Sequence, residues 1–473
     1  MRSRNKVGLT MFRRGGALPE KKWLFALSPL LIGFFYAPLA WGATTPETVA
    51  VLDVLCVASF LIWVCKLVVE RRGPSFSRWC WIPLVFVSIL GAIHWANPKS
   101  VFYEIFWVLN PIESSIHWLP GSVDRVSTQE VIIHLYALFA GFVVLLDACS
   151  HLRTRWLLFK AVAISGFVIA LIGITQKAVG ADAMLWVEPD PLKYGNKLFF
   201  AAFRYHANAA SFLNLCWPAA LIVFLRERES GRKGVVPSLW ATVLLITIIG
   251  VFVNTSKAGP VLAGLGLILA LMRFWRSIFV GSKVVIALTS ILLVGFLLIF
   301  VLPALPSLEQ RWAQSSRESS LNGRLEAYEV CLRMIADKGI TTAGTGPGTF
   351  RLVFPFYENE DSNNRFFWYH AHQDFLQTII EWGIFGALGW FLFLGGGIVR
   401  GFSSVRLSLE KDRMEFSASC ALIAMIVVMA HATFDFPFQI PSIQILIAFY
   451  MAVLWASGTK KARKKPANAG LES

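Results

Sequence analysis

The sequence predicts an all-α membrane protein, a polytopic bundle of about twelve transmembrane helices with one large external loop that contains short helices. Of its 473 residues, 56% are hydrophobic and only 15% are charged, and the mean hydropathy is +0.59. A soluble domain carries about 25% charged residues. About twelve runs approach the roughly 20 apolar residues that a spanning helix needs, and basic residues gather on one side of them.

The apolar runs define the predicted spans. They occupy residues 23–43, 48–69, 79–96, 129–148, 156–177, 208–225, 238–254, 258–272, 284–303, 374–399, 415–435 and 442–458. A basic N-terminus leads into a first run that is too long for a typical signal sequence, so we expect no cleavable signal peptide. This composition excludes a soluble enzyme, a disordered protein and a secreted disulfide scaffold.

The charge distribution predicts the orientation. The formal charge of +15 comes from 44 Lys and Arg against 29 Asp and Glu. If the N-terminus is cytoplasmic, 29 of the 44 basic residues lie on that side, in the N-terminal segment, the inner turns and the tail after residue 459. The positive-inside rule then places both termini in the cytoplasm and the long loops outside. The positive charge is thus mostly a topology signal, and we expect no nucleic-acid partner.

The cysteines give no sign of a disulfide or a metal site outside the membrane. Six of the seven lie within the predicted spans or at their cytoplasmic ends, and only Cys331 lies in an external loop. No CxxC pair is present, so neither an intraloop disulfide nor a cysteine metal site is expected.

Three external segments are long enough to be structured: residues 97–128, 178–207 and 304–373. The first is rich in Trp, Pro and Ile and is expected on the membrane surface. In the third, helical spacing of apolar residues begins near Ser320 and is expected to end at residues 338–339. Arg324 falls in the first turn of that helix, where a cation opposes the helix dipole. It is either an anion-binding arginine or an ordinary surface residue.

A glycine-rich stretch follows, with the sequence GTGPGTF at residues 344–350. A P-loop would need a preceding strand and a GK[ST] ending. Here a helix precedes the glycines and no lysine follows them. The pattern therefore favours a tight turn that returns the chain to the membrane.

His370, His372 and Asp374 gather where the chain re-enters the bilayer. A metal site is one interpretation, but the spacing is not HExxH and no cysteine joins the group, so we expect no metal. General acid–base catalysis is another, with Asp374 orienting a histidine. A polar cap at the membrane interface is the third, and the pattern alone leaves the last two open.

Other polar residues lie at the outer ends of the predicted spans. They are Arg204, His206 and Asn208 before the sixth span, Lys257 in the turn at 254–257, and His431 with Asp435 near the end of the eleventh. Ionisable residues at membrane depth are costly and often functional. Since all of them map to one side, we expect one cavity that opens outward.

Together these residues resemble the O-antigen ligase and O-antigen polymerase superfamily of bacterial cell-surface polysaccharide assembly. The most specific part is HQDFLQ at 372–377 with EWGIFG at 381–386, which resembles the family pattern H-N-D-[YF]-L-Q…E-x-G-x-x-G. Gln373 stands where that pattern has Asn. Residues 322–350 resemble its G-R-x-x-x-[WY]…G-x-G-x-x-x-F element.

Three shorter segments extend the resemblance to about residues 200–441. Residues 202–210 are similar to a G-x-F-x-x-x-N-x-x-A segment, and residues 431–441 to a late H-x-x-x-D-F-P segment. Residues 255–259 are similar to a T-x-S-R-G turn, with Lys257 in place of Arg. That replacement argues against a bidentate phosphate clamp at this position. The first 200 residues match only as hydrophobic spans.

The resemblance implies a metal-independent, inverting glycosyltransferase with a GT-C-type fold and no cofactor. Its donor would be a glycan on undecaprenyl diphosphate, at the outer face of the bacterial inner membrane. His372 would be the base for the acceptor hydroxyl. Arg324, with Arg204 and Lys257, would hold the diphosphate. Asn208, His370 and Asp374 would contact substrate, and Glu381 would be structural.

The resemblance also implies a division of the chain. It would comprise N-terminal spans at 1–200, a ligase- or polymerase-like core at 201–441 with the periplasmic loop 304–373, and a last span with a basic tail at 442–473.

The acceptor stays open. It is another lipid-linked glycan for a polymerase, lipid A–core for a ligase, or a protein in a third branch, and other polysaccharide-assembly proteins are candidate partners. A transporter or flippase of the lipid-linked glycan is the alternative class. Transporters tend to have inverted repeats and broken, Gly- or Pro-interrupted spans in matching halves, and the sequence gives no sign of either.

Overall fold

The structure is a computed structural model that describes residues 19–75, 78–187, 199–230, 234–279, 319–358, 368–406 and 413–457. This part contains fourteen α-helices and one β-hairpin. The helices are α1 Lys21–Leu39, α2 Pro46–Glu70, α3 Trp81–Ala96, α4 Arg125–Cys149, α5 Leu152–Ala178, α6 His206–Glu229, α7 Val235–Val253, α8 Ala258–Phe279, α9 Ser319–Ala336, α10 Lys338–Ala343, α11 Phe350–Val353, α12 Asp374–Arg406, α13 Arg413–Ala432 and α14 Pro441–Ala456.

Eight of these helices are long and apolar enough to cross a membrane, namely α1, α2, α4, α5, α6, α7, α8 and α12. Three shorter apolar helices, α3, α13 and α14, coincide with the third, eleventh and twelfth predicted runs. The ninth run, 284–303, lies outside the described residues, as do the basic N-terminal segment and the tail. The chain is therefore an all-α membrane protein, while the count of twelve spans stays a prediction.

Helix α6 lies at the centre of the bundle. Its apolar window is 94% buried, more than that of any other described candidate span. Asn214 on this helix donates to the carbonyl of Gly259 on α8 over 3.1 Å, and the hydroxyl of Tyr450 on α14 donates to the carbonyl of Leu215. Such interhelical hydrogen bonds satisfy polar groups that lipid cannot, and they fix α6 against two neighbours.

The segment at 97–128 contains the one antiparallel hairpin of the described residues. Strand β1, Ser100–Tyr103, pairs with β2, Val108–Pro111. Ile105 and Phe106 at its tip are 91% and 76% exposed. The side-chain amide of Asn97 donates to the carbonyls of Ile116, Leu119 and Pro120 and so ties the following loop to the end of α3.

The third external segment contains the predicted helix as α9, but its start and its end differ from the prediction. Helix α9 begins at Ser319, so Arg324 lies in its second turn and not in the first. Residues 338–339 do not end this helix, since α9 ends at Ala336 and Lys338 begins α10. The carboxylate of Asp337 caps α10 by accepting from the amide of Gly339 over 2.8 Å. A capped start at this point separates the two helices.

Helix α12 is interrupted at Gly383, whose φ of +66° and ψ of 178° are not helical. The interruption leaves the carbonyls of Ile380 and Glu381 without their usual helical donors. The glycine turn at 344–350 supplies them, because Thr345 N donates to Ile380 O and Gly346 N to Glu381 O, both over 2.9 Å. The expected tight turn is confirmed. The interruption of α12 at Gly383 was not predicted.

Candidate active site

Asp435 lies at the centre of a polar cluster at one end of the bundle. It follows α13, and its side chain is 3% exposed. Its Oδ1 atom is 3.2 Å from Nδ1 of His372, just before α12. Its Oδ2 atom accepts from the hydroxyl of Tyr205, just before α6, over 3.2 Å. Nε2 of His431, one turn earlier on α13, is 3.8 Å from Oδ2.

Arg324 brings the external helix α9 into the same cluster. Its guanidinium donates to the hydroxyl of Tyr205 over 3.0 Å and to the carbonyl of Phe434 over 3.1 Å. It also lies 3.7 Å from Oδ2 of Asp435, with 28% of its side chain exposed. A guanidinium has five N–H donors in a fixed fork, so these contacts orient it without using all of its donors.

The charges of the cluster support one another. Burial alone would raise the pKa of Asp435, but the hydrogen bond from His372 and the positive charge of Arg324 lower it below its usual value. Burial and the charge of Asp435 raise the pKa of Tyr205, so its hydroxyl keeps its proton. Asp435 is therefore a carboxylate and Tyr205 a donor. With Arg324 they form a cation–hydroxyl–carboxylate bridge.

The contact with Asp435 fixes which ring nitrogen of His372 is the hydrogen-bond acceptor. Nδ1 faces a carboxylate, which can only accept, so Nδ1 carries a hydrogen and the neutral ring has its lone pair on Nε2. Within the described residues Nε2 has no hydrogen-bond partner, and the side chain of His372 is 20% exposed. The ring is held edge-on by Phe436 and Trp368, at centroid distances of 4.7 and 5.3 Å.

The backbone at His372 is fixed in an uncommon conformation. Its φ is +51°, in the left-handed region that non-glycine residues rarely adopt. Three side chains hold this loop: Tyr328 donates to His372 O, Gln377 accepts from Ala371 N, and Gln373 accepts from Leu376 N. Strained positions of this kind cluster at functional sites, and the imidazole of this residue faces Asp435.

Asp374 has a different place from the one expected. The sequence suggested that it orients a histidine, but Asp435 makes that contact. Both oxygens of the fully buried Asp374 accept from the turn after α13, from Phe438 N over 2.8 Å and from Gln439 Nε2 over 3.0 Å. Asp374 thus holds the turn that carries Asp435.

The remaining predicted residues differ in how far their side chains are buried. His370 stacks on Phe436 at a centroid distance of 4.6 Å, and burial, with the nearby His372, lowers its pKa to about 4. Arg204 is exposed beside Tyr205, and Asn208 is buried in the first turn of α6. Lys257 is half-buried in a turn that Asn254 joins to His206 O over 2.9 Å. The expectation of one cavity that opens outward stays a prediction.

Metal binding finds no support in the side chains around this cluster. Within the described ranges, no group of three or more His, Cys, Asp and Glu side chains has the arrangement to hold a metal ion. His372 and Asp435 contact each other, and the other nearby carboxylate, Asp374, accepts from a backbone N–H and a side-chain amide.

Part of the chain matches a known protein family. The model described as O-antigen ligase matches residues 242–391. The match confirms the resemblance to the O-antigen ligase and polymerase superfamily. No curated protein matches the chain significantly.

The O-antigen ligase segment holds only part of the cluster. Arg324 and His372 lie inside it, whereas Tyr205 and Asp435 lie outside. Sequence reasoning gave Tyr205 no role and noted Asp435 only as a polar residue at membrane depth. The signal for Asp435 was its place in the H-x-x-x-D-F-P segment, but its partner could not be read from the sequence. For Tyr205 the only signal was its position beside Arg204 before a span.

Proposed function

We propose that this protein is a membrane glycosyltransferase that transfers an undecaprenyl-diphosphate-linked oligosaccharide or polysaccharide to an acceptor hydroxyl. One observation carries the proposal: the imidazole of His372 is paired with the buried Asp435, and the guanidinium of Arg324 lies beside the same carboxylate. A base and a cation that share one carboxylate suit a reaction in which a hydroxyl loses a proton and a diphosphate leaves.

In the proposed reaction Nε2 of His372 accepts the proton of the acceptor hydroxyl. The hydroxyl oxygen forms a bond to the anomeric carbon, and the bond from that carbon to the diphosphate oxygen breaks. The diphosphate leaves with the bonding electrons, and a single displacement inverts the configuration. Asp435 stabilises the imidazolium that forms, since it lies 3.2 Å from Nδ1. Positioned bases of this kind contribute about 10²- to 10⁴-fold to rate.

The leaving diphosphate needs positive charge, which we assign to Arg324 with Arg204 and Lys257. Arg324 is anchored by Tyr205 and Phe434 while part of its guanidinium stays exposed. A guanidinium can hold phosphate oxygens through two parallel hydrogen bonds. With two arginines and one lysine to hold the diphosphate, we propose a reaction without a metal or other cofactor. Asn208 and His370 are the proposed contacts to the sugar.

We further propose a GT-C-type protein in the bacterial inner membrane, with both termini in the cytoplasm and loop 304–373 in the periplasm. The cluster sits at the ends of α6, α12 and α13, next to the start of α14. A lipid-linked donor would reach such a position with its head group outside and its tail in the bilayer. The acceptor is a glycan, lipid A–core or another hydroxyl.

The test is a reconstitution. Purified protein in proteoliposomes receives a lipid-linked glycan and, in separate reactions, lipid A–core or a second lipid-linked unit. We expect elongated or ligated glycan with release of undecaprenyl diphosphate, in the presence of EDTA. H372A should lose product, whereas H117A, a change at an exposed loop histidine, should retain it.

The outcomes separate the alternatives. Product from H372A at the wild-type rate would overturn the base assignment. Redistribution of the donor across the bilayer without any new glycosidic bond would overturn the glycosyltransferase and favour the transporter. The acceptor that yields product distinguishes a polymerase from a ligase.

A further inference from the structure

Asp53, His134 and Gln444 form a hydrogen-bonded row across three helices. Nδ1 of His134 on α4 is 2.5 Å from Oδ1 of Asp53 on α2, and its Nε2 atom is 2.7 Å from Oε1 of Gln444 on α14. The side chains of His134 and Asp53 are only 11% and 14% exposed. All three lie outside the O-antigen ligase segment. Polar side chains inside a membrane bundle are costly and call for an explanation.

The direction of each hydrogen bond follows from its partners. Nε2 of Gln444 is 2.7 Å from the carbonyl of Phe438, which can only accept, so the amide nitrogen of Gln444 points there. Its Oε1 atom therefore faces His134 and must accept from Nε2–H. The contact of 2.5 Å at Nδ1 then requires another proton between His134 and Asp53. From His134 onward the row thus donates in one direction, through Gln444 to Phe438.

The row ends on the turn that carries Asp435. The peptide groups of Phe438 are held from both sides, because the carbonyl accepts from Gln444 and the amide donates to Asp374 over 2.8 Å. Two residues earlier in the same turn, Phe436 packs against the rings of Tyr205 and His372. The position of this turn sets where Asp435 stands relative to His372.

Packing alone does not fix this turn. Phe438 and Gln439 line a cavity of about 170 Å³, and His134 and Gln444 line it too. Side chains beside an open cavity have room to move, since they lack neighbours on one side. The hydrogen bonds that Phe438 accepts from Gln444 and donates to Asp374 therefore define the orientation of its peptide groups.

We infer that Asp53, His134 and Gln444 are positioning residues for the reaction, which act through the Phe438 turn on the contact between Asp435 and His372. The inference rests on the proposed function and extends it to the N-terminal spans. Displacement of a reacting group by about 1 Å can cost about 10²-fold in rate. A row that holds Asp435 in place would affect turnover more than substrate binding.

Two nearly isosteric variants test the row. H134Q places an amide nitrogen where Nε2 was and keeps the donor to Gln444. H134N places it where Nδ1 was and keeps only the contact to Asp53. We expect H134N to lower kcat about 10- to 100-fold with KM changed less than about twofold, and H134Q to restore kcat to within about threefold of wild type. Y136F, on the same helix, removes only a hydrogen bond to Ser88 O and should leave kcat unchanged.

The double variant H134N/D435A tests the route. If His134 acts through Asp435, adding H134N to D435A costs no further activity, because the contact between Asp435 and His372 is already lost. Independent, multiplicative losses would overturn the inference. So would equal losses in H134N and H134Q accompanied by equal falls in unfolding temperature, since they indicate a purely structural role.

A spectroscopic measurement is independent of activity. The chain has eight histidines, so ¹⁵N-histidine labelling in nanodiscs gives few ring signals, and a His372→Asn variant assigns those of His372. We expect H134N to shift the His372 signals and H134Q to leave them in place. Unshifted signals in H134N would overturn the inference. If the wild type made no glycosidic bond, the proposed function would be wrong. The NMR measurement would still show whether His134 affects the environment of His372.

Discussion

The rings of Tyr205 and Phe436 stack face to face, with centroids 5.6 Å apart and planes 6° apart. The stack holds the phenol between two charged groups. Its hydroxyl accepts from Arg324 over 3.0 Å and donates to Asp435 over 3.2 Å. Tyr205 therefore joins the cation proposed for the diphosphate to the carboxylate that orients the proposed base.

We predict that Y205F separates the two roles of this side chain. Phe keeps the stack on Phe436 but removes the hydrogen bonds to two charged partners, each worth about 1.5–3 kcal/mol. Glycan transfer should fall about 10- to 100-fold, and the unfolding temperature should fall less than in a variant that also loses the stack. Y205L, which also loses the stack, should lose both activity and stability. Wild-type activity in Y205F would show that the bridge through the hydroxyl has no part in the reaction.

The carboxylate of Asp435 gives a second prediction. In D435N the amide oxygen can still accept from Nδ1 of His372, so the ring stays in place, but no negative charge stabilises the imidazolium. We expect glycan transfer to fall about 10²- to 10⁴-fold with donor binding retained. Donor binding is measured with labelled lipid-linked glycan in nanodiscs. If binding were lost and turnover kept, Asp435 would serve the donor and not the base.

Arg324 gives a third prediction, because its fork contacts two acceptors that a lysine cannot reach together. The guanidinium donates to Tyr205 and to the carbonyl of Phe434 at the same time. R324K keeps the charge and loses this geometry, so we expect it to recover only a minor part of the activity lost in R324A. Full recovery in R324K would mean that charge alone is needed. Arg333 lies on the same helix as Arg324 and donates to the carbonyl of Tyr357. R333K is therefore the matched control.

The sequence indicated which side chains belong to this cluster better than it indicated which of them contact each other. Charged residues stand out in a chain that is 56% hydrophobic, so Arg324 and His372 could be selected as candidates. The hydrogen-bond partner of His372 could not be predicted from the sequence. Asp374 is two residues away in the sequence, but α12 begins there and directs its carboxylate to the turn after α13. Asp435 is 63 residues away and makes the contact, which only the packing of α12 against α13 determines.

The fold shows the same division between local and long-range information. Apolar runs predicted eleven of the described helices with ends that differ by at most seven residues, since spanning length and hydropathy are local properties. The interruption of α12 was not predicted, although Gly383 was visible. A glycine inside an apolar run ends a helix only where another segment supplies the lost donors. Here that segment is the turn at 344–350, which lies more than 30 residues earlier.

His370 gives a prediction for the pH dependence of stability. Burial, with a smaller effect of His372, lowers the pKa of His370 from the ordinary 6.5 to about 4. The unfolded chain therefore binds a proton first as the pH falls. The contribution of neutral His370 to the free energy of unfolding is fully present above pH 6.5 and is lost between about pH 6.5 and 4. The lowered pKa of Asp435 acts in the same direction, but below its ordinary value of 3.8.

The variant H370Q isolates this titration. Glutamine keeps an amide near Gln377, which is 3.5 Å from Nδ1 in the wild type, and does not titrate. Unfolding temperatures measured from pH 7.5 to 4.5 should fall less steeply in H370Q than in wild type. Parallel curves for the two proteins would contradict the assignment of the lowered pKa to His370.

The last prediction concerns the contact between the interrupted helix and the glycine turn. Gly383 has a φ of +66°, and a Cβ atom there would lie 2.6 Å from the carbonyl of Thr342 and 2.9 Å from the backbone of Ala343. Backbone atoms cannot move aside as a side-chain end can, so G383A must push the turn away from α12. We expect a loss of at least about 2 kcal/mol in stability, from strain and from the displaced hydrogen bonds. Activity should fall as well, because the same helix end carries His372. G395A is the matched control within α12, since a Cβ at Gly395 meets nothing within 4 Å. That change should be neutral or stabilise by up to about 1 kcal/mol, and equal unfolding temperatures for the two variants would refute the backbone contact as the cause.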